Sequence, residues 1–553
     1  MKILLLSGLG PSWPQGSAFY NSNMLEHTFL DKECYHEGLK RNISKKDFYI
    51  YDSNGDEKSL FRERNGIEKN LTTLTLEGIL NDCDCEYEYL DLEKVWNNFD
   101  YQNGDDIDYI FLSTTFICNL SDLNYAINWC KQNLPGKKII VGGQFSNLKY
   151  KKILEEFGDI LYVMRGDGEI AIPALLDYLN HKQDDISKVP NLVWRNGDEV
   201  VSNEVKMVDV NTVPAIKLDG HVDNMYYESM RGCAFGCKFC SFPAASPKWR
   251  YKSAQKIADD WLYYSDAFGV KRMRAMDSAF TFPPKRLQEL LELLKDKGIE
   301  WEAYSRADVI NSKEVIEALE DANCRLLSFG FESLSDDTLK KMNKRVTAEQ
   351  NRKTNELLNK YAKKLDYRCS FIVGFPGETP EEYQKTHDFL VNEYKKQFHL
   401  SVFSLVDETM PIWQEAEKYG LEVTDPNNPD YNWKHKGMTA EEARKLHQQT
   451  LYDVRWKNEF AVGTEWQLPF DLPLNPNLDF TKNYRIEKLI ERLAFVTKDF
   501  KGNQELIDAI TESVVQELST LGVHIKGFSY NKEERSNNKA LVKSDEKWER
   551  LFR

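Results

Sequence analysis

Long apolar runs, an excess of positive charge and cysteines late in the chain are all lacking in this sequence of 553 residues. No stretch approaches the roughly 18 consecutive apolar residues that a membrane-spanning helix needs. The net charge of −15 disfavours a broad nucleic-acid-binding surface, because phosphate recognition needs clustered cations. No cysteine follows Cys369, so the last part of the chain cannot supply a cysteine-ligated cluster of its own. A small or neutral substrate suits this composition better than a nucleic acid.

The opening segment, MKILLLSGLG, holds only a short apolar run before small and polar residues. That run is too short for the central region of a signal peptide, so we interpret it as a buried first strand. Ten cysteines in a large chain without an export signal favour reduced thiols and metal ligation over disulfides. We therefore expect the protein in the cytoplasm.

Residues 1–180 alternate between short apolar runs and helical periodicity, with an irregular, polar insertion at about 11–70. This rhythm predicts an α/β fold with a doubly wound, Rossmann-like parallel sheet. Ligands of such sheets bind at the carboxyl ends of the strands. The small or polar residues at the predicted strand ends are the candidates for ligand binding: Ser113, Thr114, Thr115, Gly142, Gly143, Gly166 and Glu169.

The rest of the chain divides into three predicted segments. Residues 181–225 are typical of a connector, in which Asn196-Gly197 predicts the tight turn of a hairpin. Residues 226–437 repeat strand-helix units, which predicts a partial or full (β/α) barrel of the triosephosphate-isomerase type with its chemistry at the strand carboxyl ends. Residues 438–553 are predicted to be mainly helical.

Three cysteines, Cys233, Cys237 and Cys240, lie in the segment RGCAFGCKFCSF, directly after the predicted first barrel strand. A closed structural metal site takes four ligands, and no fourth cysteine is near. Three thiolates can hold three irons of a [4Fe–4S] cluster and leave the fourth iron open for reaction. A zinc site completed by a distant residue, such as His221 or Cys324, is the alternative.

The spacing of these cysteines, with Phe239 before the last, resembles the signature of the radical S-adenosylmethionine (SAM) superfamily. The resemblance continues through the segments SRAD, FGFESLS and FIVGFPGET, which are similar to the branch that contains the methylthiotransferases. It implies that the three cysteines hold a [4Fe–4S] cluster. The residues that it implies for contacts with SAM or substrate are Phe239, Asp277, Ser305, Arg306, Glu332 and Gly374. Asp277 lies where many relatives carry Gly-Gly-Glu, and we expect it to accept the ammonium group of SAM; Asp277 and Arg306 are the predicted catalytic side chains beside the cysteines.

The segments LSTTF, KKIIVGGQFSN and ILYVMRGDGEIAIPALLDYL together resemble the cobalamin-binding domain that precedes many radical enzymes of this branch. The resemblance implies that cobalamin binds at the strand-end residues between Ser113 and Glu169. The Asp-x-His-x-x-Gly run that supplies a histidine to cobalt is absent, and the surroundings of His36 lack both its aspartate and its glycine. We therefore expect no histidine below the cobalt. His435 is interpreted either as lining the substrate cavity or as structural.

Taken together, the resemblance implies a cobalamin-dependent radical SAM methyltransferase. It would methylate an unactivated carbon of a small molecule or peptide through methylcobalamin and a 5′-deoxyadenosyl radical. An electron donor such as flavodoxin or ferredoxin would reduce the cluster. Two alternatives remain open: a ring closure, ring contraction or other rearrangement with the same cofactors, and a zinc-stabilised binding protein without enzymatic activity.

Overall fold

The computed structural model describes residues 1–9, 29–30, 32–61, 69–102, 104–218, 220–405, 408–425, 432–463 and 480–528. The chain forms two units: unit 1 comprises residues 1–22 and 66–453, and unit 2 comprises residues 23–65 and 454–553. Parts of the predicted insertion (10–28 and 62–68) and of the predicted C-terminal helical region (464–479 and 529–553) lie outside the described residues.

Unit 1 begins with a seven-stranded sheet, the first sheet. Its strands are β1 (Lys2–Ser7), β2 (Glu86–Asp91), β3 (Tyr109–Ser113), β4 (Lys138–Gly142), β5 (Ile160–Met164), β6 (Leu192–Asn196) and β7 (Glu199–Ser202). The spatial order is β2-β1-β3-β4-β5-β6-β7, with the first five strands parallel. This order confirms the predicted doubly wound sheet, and it reverses between β1 and β3, where sheets of this kind bind their ligands.

The first sheet is covered on both faces, which explains why its strands are continuous apolar runs. Leu4 and Leu6 pack in one core with the helices Leu120–Asn133 and Gln144–Glu156. Ile3 and Leu5 pack in a second core with the helices Leu71–Asp82 and Gly168–Leu179. Successive residues of β1 therefore point to opposite cores.

The predicted hairpin is formed by β6 and β7. The two strands pair antiparallel, and Gly197 in the turn has a φ of 60°. β6 also pairs antiparallel with β5, so the hairpin extends the first sheet at its edge. The hairpin within the predicted connector thus belongs to the first sheet.

A second sheet of unit 1 contains six parallel strands that pair in chain order. They are β8 (Asn224–Tyr227), β9 (Arg272–Ala275), β10 (Glu300–Ser305), β11 (Cys324–Glu332), β12 (Asp366–Val373) and β13 (Gln397–Val402). Helices connect them: Ala254–Phe268, Pro284–Leu294, Lys313–Asp321, Ala348–Tyr361 and Pro380–Asn392. This arrangement confirms the predicted barrel in its partial form.

The shorter elements of unit 1 lie mostly in the loops. Its other α-helices are Leu92–Trp96, Phe242–Ala245, Asp336–Lys341, Ala416–Tyr419 and Ala440–Lys457, the last of which crosses the unit boundary. Its 3-10 helices are Gly104–Asp106, Ile186–Lys188, Ala307–Val309 and Pro411–Glu415. Two small ribbons pair Met230–Arg231 with Arg250–Tyr251 and Glu422–Val423 with Trp433–Lys434.

Unit 2 joins residues that are far apart in sequence. Its α-helices are Phe480–Asp499 and Gln504–Thr520, its 3-10 helix is Lys45–Asp47, and its short strands are Cys34–His36, Arg41–Ile43, Phe48–Tyr51, Glu57–Ser59, Val462–Gly463 and His524–Ile525. His36 is buried in this unit, where its Nε2 lies 2.9 Å from the carbonyl oxygen of Leu493. Over the described part of the chain, no helix is long and apolar enough to span a membrane.

Candidate active site

The three cysteines lie in a loop at the carboxyl end of β8, here called the cysteine loop (residues 232–241). Gly232 begins the loop with a φ of 75°, and a Cβ there would come within 3.0 Å of the backbone of Lys248, so the entry to the loop requires glycine. All three cysteines are free thiols. Burial raises the pKa of Cys237 and raises that of Cys240 to about 11. A metal must therefore displace protons from these thiols when it binds.

Loops that follow the neighbouring barrel strands hold the cysteine loop in place. The amide of Lys238 donates to the carbonyl oxygen of Met342 at 2.9 Å, and Asn343 Nδ2 donates to that of Gly236 at 2.8 Å. From the loop after β9, Ser278 Oγ donates to the carbonyl oxygen of Gly232 at 2.9 Å. The backbone of the loop is thus fixed before any ligand binds.

Arg306 lies against the cysteine loop and is almost fully buried. Its guanidinium carbon is 3.8 Å from the ring centroid of Phe235, and its NH2 group donates to the carbonyl oxygen of Lys344 at 3.0 Å. The side chain therefore links the end of β10, the cysteine loop and the segment after β11. Ser305, its neighbour, is also buried, with its Oγ 2.9 Å from Thr281 Oγ1.

A buried ion pair of Glu332 and Lys344 lies beside the cysteine loop. Lys344 Nζ is 2.9 Å from Glu332 Oε1 and 5.7 Å from the ring centroid of Phe239. Burial would lower the pKa of Lys344, but the charges of Glu332 and of the Cys237 thiolate outweigh it and raise the pKa. Lys344 thus provides a buried positive charge next to the thiols.

The donor set fits an iron–sulfur cluster better than a zinc ion. The cysteine loop offers three free thiols, which can bind three irons of a [4Fe–4S] cluster, whereas a closed structural zinc site takes four ligands. His221 precedes β8, and Cys324 is the first residue of β11. Both therefore lie at the amino ends of the barrel strands, away from the cysteine loop at the carboxyl ends. The structure thus contradicts the zinc site that would use either of them.

Asp277 supports the base of the cysteine loop. Its carboxylate accepts hydrogen bonds from the amides of Ser229 and Met230, at 2.8 Å and 3.0 Å, and from Ser229 Oγ. Burial raises its pKa to about 6, and the residue is only 3% exposed. These contacts disfavour the prediction that Asp277 accepts the ammonium group of SAM, and they assign it to the support of the loop.

The loop after β12 carries Gly374, and two buried side chains hold it. Glu378 accepts a hydrogen bond from the Gly374 amide at 2.7 Å, and burial raises the pKa of Glu378 to about 8. His435 Nε2 lies 3.2 Å from the Gly374 carbonyl oxygen, and burial lowers the pKa of His435 to about 4. The neutral imidazole is stacked on Trp433. These contacts favour the structural interpretation of His435.

At the carboxyl edge of the first sheet, some predicted residues support the backbone and others face outward. Thr114 is buried, and its Oγ1 donates to the carbonyl oxygen of Gly142 at 2.9 Å. Gly143 has a φ of 118°, and a Cβ there would lie 2.7 Å from the Thr115 amide nitrogen. Gly142 and Thr115 are partly exposed, whereas Ser113 is buried at the end of β3.

Sequence reasoning missed the residues at the end of β1, on the other side of the strand-order reversal. Ser7 Oγ lies 2.8 Å from Thr73 Oγ1, and Gly8 follows it with a φ of 142°. The signal was present in the segment LLLSG, which stops at a small residue and a glycine, as β4 does.

The carboxyl edge of the first sheet lies against the barrel residues that flank the cysteine loop. Asn147 Nδ2 donates to the carbonyl oxygen of Ala245 at 2.9 Å, while its Oδ1 accepts from the Gly166 amide at 2.8 Å. Glu169 makes a bidentate pair with Arg231, with N–O distances of 3.0 Å and 2.6 Å. This contact disfavours the prediction that the Glu169 carboxylate itself binds cobalamin. The two carboxyl edges thus meet within unit 1.

A family model agrees with this geometry. Residues 227–390 match the Radical SAM superfamily, a segment that starts at the end of β8 and includes the cysteine loop. The chain contains a radical SAM domain.

Two curated relatives are methyltransferases. The bacteriochlorophyllide d C-12(1)-methyltransferase of Chlorobaculum tepidum is 33% identical over 179 residues, which cover 32% of this chain and 38% of that protein. An uncharacterised methyltransferase of Pyrococcus horikoshii is 28% identical over 266 residues, which cover 45% of this chain and 57% of that protein. The matches thus span about half the length of these relatives.

A solved structure shares the fold over nearly the whole chain. It is the radical SAM methyltransferase TsrM from Kitasatospora setae, with cobalamin and a [4Fe–4S] cluster bound. The TM-score is 0.56 at 14% sequence identity, and the alignment covers 93% of this chain and 99% of that one. This similarity shows the common fold of a Rossmann-like sheet, a radical SAM domain and a helical C-terminal part.

Within the radical SAM domain, the structure adds Lys344 to the candidates found in the sequence. Its signal was the segment LKKMNK, which ends at Lys344, and the lysines of this segment look like an ordinary exposed helix end. Only the fold shows that one of them is buried against Glu332.

Proposed function

We propose that this chain is a cobalamin-dependent radical SAM enzyme that methylates an unactivated carbon of a small molecule or peptide. One observation chiefly supports the proposal: the carboxyl edge of a doubly wound sheet lies against the cysteine loop of a radical SAM domain. Both edges are the ligand-binding ends of their folds. The methyltransferase relatives and the fold shared with TsrM agree with it.

Cys233, Cys237 and Cys240 would hold the [4Fe–4S] cluster. When bound, the cluster supplies the electron that cleaves the sulfonium bond of SAM. The buried positive charges of Lys344 and Arg306 offset the negative charge of three thiolates, which a low-dielectric site cannot otherwise accommodate.

The residues around Phe239 would bind SAM. The Phe239 ring offers an apolar face for the adenine, and Lys344 offers an ammonium group near it for the carboxylate of SAM. Glu332, paired with Lys344 beside Phe239, is the candidate carboxylate for ribose hydroxyls. Gly374 keeps the loop after β12 packed, because a Cβ there would lie 2.6 Å from the Trp433 ring. Arg306 and Ser305 are assigned to holding this arrangement, because their polar atoms are engaged by neighbouring loops.

Cobalamin would bind at the reversal point of the first sheet. Ser113, Thr115, Gly142 and Gly166 bring small side chains to the strand ends, and a flat macrocycle can approach the backbone only where side chains are short. Thr114 and Gly143 shape the backbone beneath it. No histidine is assigned below the cobalt, and the imidazole of His36 is engaged inside unit 2.

The proposal includes an electron donor such as flavodoxin or ferredoxin and a cytoplasmic location, where thiols stay reduced. Detection of S-adenosylhomocysteine among the products would distinguish methylation from a rearrangement with the same cofactors, because only methyl transfer from SAM produces it.

The cysteine loop provides the first test. Protein reconstituted anaerobically with iron and sulfide is expected to bind about four irons and four sulfides. Replacing Cys233, Cys237 and Cys240 by alanine should abolish binding and all cleavage of SAM to 5′-deoxyadenosine. Cys324→Ala is the matched control, since this buried cysteine lies at the opposite end of the barrel. Iron retained by the triple variant, or stoichiometric zinc without sulfide in the unaltered protein, would contradict the proposal.

A further inference from the structure

Five charged side chains form a cluster where the first sheet meets the radical SAM domain, here called the bridging cluster. Its members are Asp167, Glu169, Glu228, Arg231 and Arg250. Asp167 is the N-cap of the helix Gly168–Leu179 that follows β5, Glu169 lies in the first turn of that helix, and Arg231 precedes the cysteine loop. The side chain of Arg231 is only 12% exposed, and that of Asp167 is 6% exposed. The function proposed above assigns no cofactor contact to these groups.

Arg231 is the centre of the bridging cluster. Besides its bidentate pair with Glu169, its NH1 lies 3.0 Å from Asp167 Oδ1 and its Nε donates to Glu228 at 3.0 Å. Arg250 is directly opposite Arg231 in the small ribbon and donates to Asp167 at 2.5 Å. Arg231 and Arg250 of the ribbon thus both bind the carboxylate of Asp167. Burial alone would raise the pKa of Asp167, but Arg250 and Arg231 outweigh it and lower the pKa.

Stability alone is a poor reason for such a cluster. Buried ion pairs often contribute little net stability compared with apolar side chains of similar volume. They differ from apolar contacts in direction, because a guanidinium that binds a carboxylate through two hydrogen bonds fixes both distance and angle. Here the two bonded elements are the turn at a ligand-binding edge and the segment that leads into the three cysteines.

We propose that Arg231 is a positioning residue that holds the cysteine loop in register with the turn bearing Asp167 and Glu169. That the two ligands held at this separation are SAM and cobalamin rests on the function proposed above. The ion pairs that link Arg231 to Asp167 and Glu169 do not depend on it. A looser link should leave each cofactor bound and SAM cleavage intact. Methyl transfer from SAM at the cysteine loop to reduced cobalamin at the first sheet should then suffer, since it needs both ligands at a fixed distance.

Two variants and one control test this proposal. Glu169→Gln keeps the shape of the side chain but removes its charge, and it lies far in sequence from the cysteines. Arg231→Lys keeps the charge but loses the bidentate geometry. Glu300→Gln is the control, because it breaks pairs with Arg272 and Arg325 at the amino ends of the barrel strands.

The first measurement is hydrogen exchange of peptides that cover residues 228–241, with the iron-loaded protein and no cobalamin. Glu169→Gln and Arg231→Lys should speed exchange there by about fivefold or more, because local opening becomes easier. The control should not change it, and iron content should equal that of the unaltered protein in Glu169→Gln. Equal exchange in all four proteins would overturn the proposal.

The second measurement uses SAM and cobalamin as the only additions, with titanium(III) citrate as reductant. S-adenosylhomocysteine formed per 5′-deoxyadenosine should fall about fivefold in both variants. In separate samples without SAM that hold cob(II)alamin and the reduced cluster, pulsed electron paramagnetic resonance should show a broader distribution of the distance between them. An unchanged ratio and distance would overturn the proposal. If the unaltered protein binds no cobalamin, the proposed function fails, and hydrogen exchange alone decides on Arg231. If Arg231→Lys loses its iron, Glu169→Gln decides.

Discussion

Substitutions of Asp277 can distinguish most clearly between a role in supporting the cysteine loop and a role in binding a ligand. The carboxylate accepts from two amides and one hydroxyl at the base of the cysteine loop. Asp277→Ala leaves these three buried donors without an acceptor, at a cost of about 1–3 kcal/mol each. A total of about 3–9 kcal/mol is comparable with the net stability of a typical domain, about 5–15 kcal/mol. Asp277→Asn keeps one oxygen acceptor and should lose roughly half as much.

The contribution of Asp277 to folding stability should also depend on pH. The folded-state pKa of Asp277, about 6, is raised above the ordinary aspartate value. Its contribution is therefore fully present below about pH 4 and is lost as the pH rises to about 6. Asp277→Asn should flatten this part of the stability curve, because the amide does not titrate.

Three measurements decide between the roles: iron content after reconstitution, the urea midpoint of unfolding, and the dissociation constant of SAM. We expect both variants to lose iron and to unfold at lower urea, with Ala the more severe. Asp223→Asn, an exposed carboxylate ahead of β8, is the control and should change none of them. If the variants keep iron and the wild-type urea midpoint while SAM binds tenfold more weakly or worse, Asp277 contacts the ligand and the supporting role assigned here is wrong.

Three further predictions concern other parts of the site. Gly142→Leu should prevent cobalamin binding while reductive SAM cleavage continues, because a Cβ at Gly142 meets only ordinary contacts and the fold should tolerate the change. The control is Gly158→Leu at the opposite edge, where a Cβ has open space, and it should bind cobalamin normally; equal binding by both variants refutes this site. Glu378, with its raised pKa of about 8, contributes stability that is lost as the pH rises. Between pH 7 and pH 9, the free energy of unfolding measured in urea should therefore fall by about 1.4 kcal/mol more in the unaltered protein than in Glu378→Gln; identical pH dependence would contradict the burial argument. Replacing both members of the buried pair, Glu332→Gln with Lys344→Gln, avoids an unpaired charge and should weaken SAM binding about tenfold or more by equilibrium dialysis; unchanged affinity would remove Lys344 from the site.

The local chemistry was readable from the sequence. The spacing of Cys233, Cys237 and Cys240 is a matter of a few consecutive residues, so their place after a strand and their common loop follow without knowledge of the rest. The strands of the first sheet were also clear, since burial on both faces makes each one a continuous apolar run. Residue patterns within one element carry this information directly.

The roles of Asp277, Glu169 and Lys344 depended on the tertiary structure. Their partners are the amides of Ser229 and Met230, the guanidinium of Arg231 and the carboxylate of Glu332, and two of these three contacts join elements about fifty residues apart or more. A charged residue in a polar segment looks the same whether it faces water or a buried partner. The sequence by itself therefore determined the sheets and the metal-binding thiols, whereas only the tertiary structure decided which polar groups are already used by the fold and which are left for ligands.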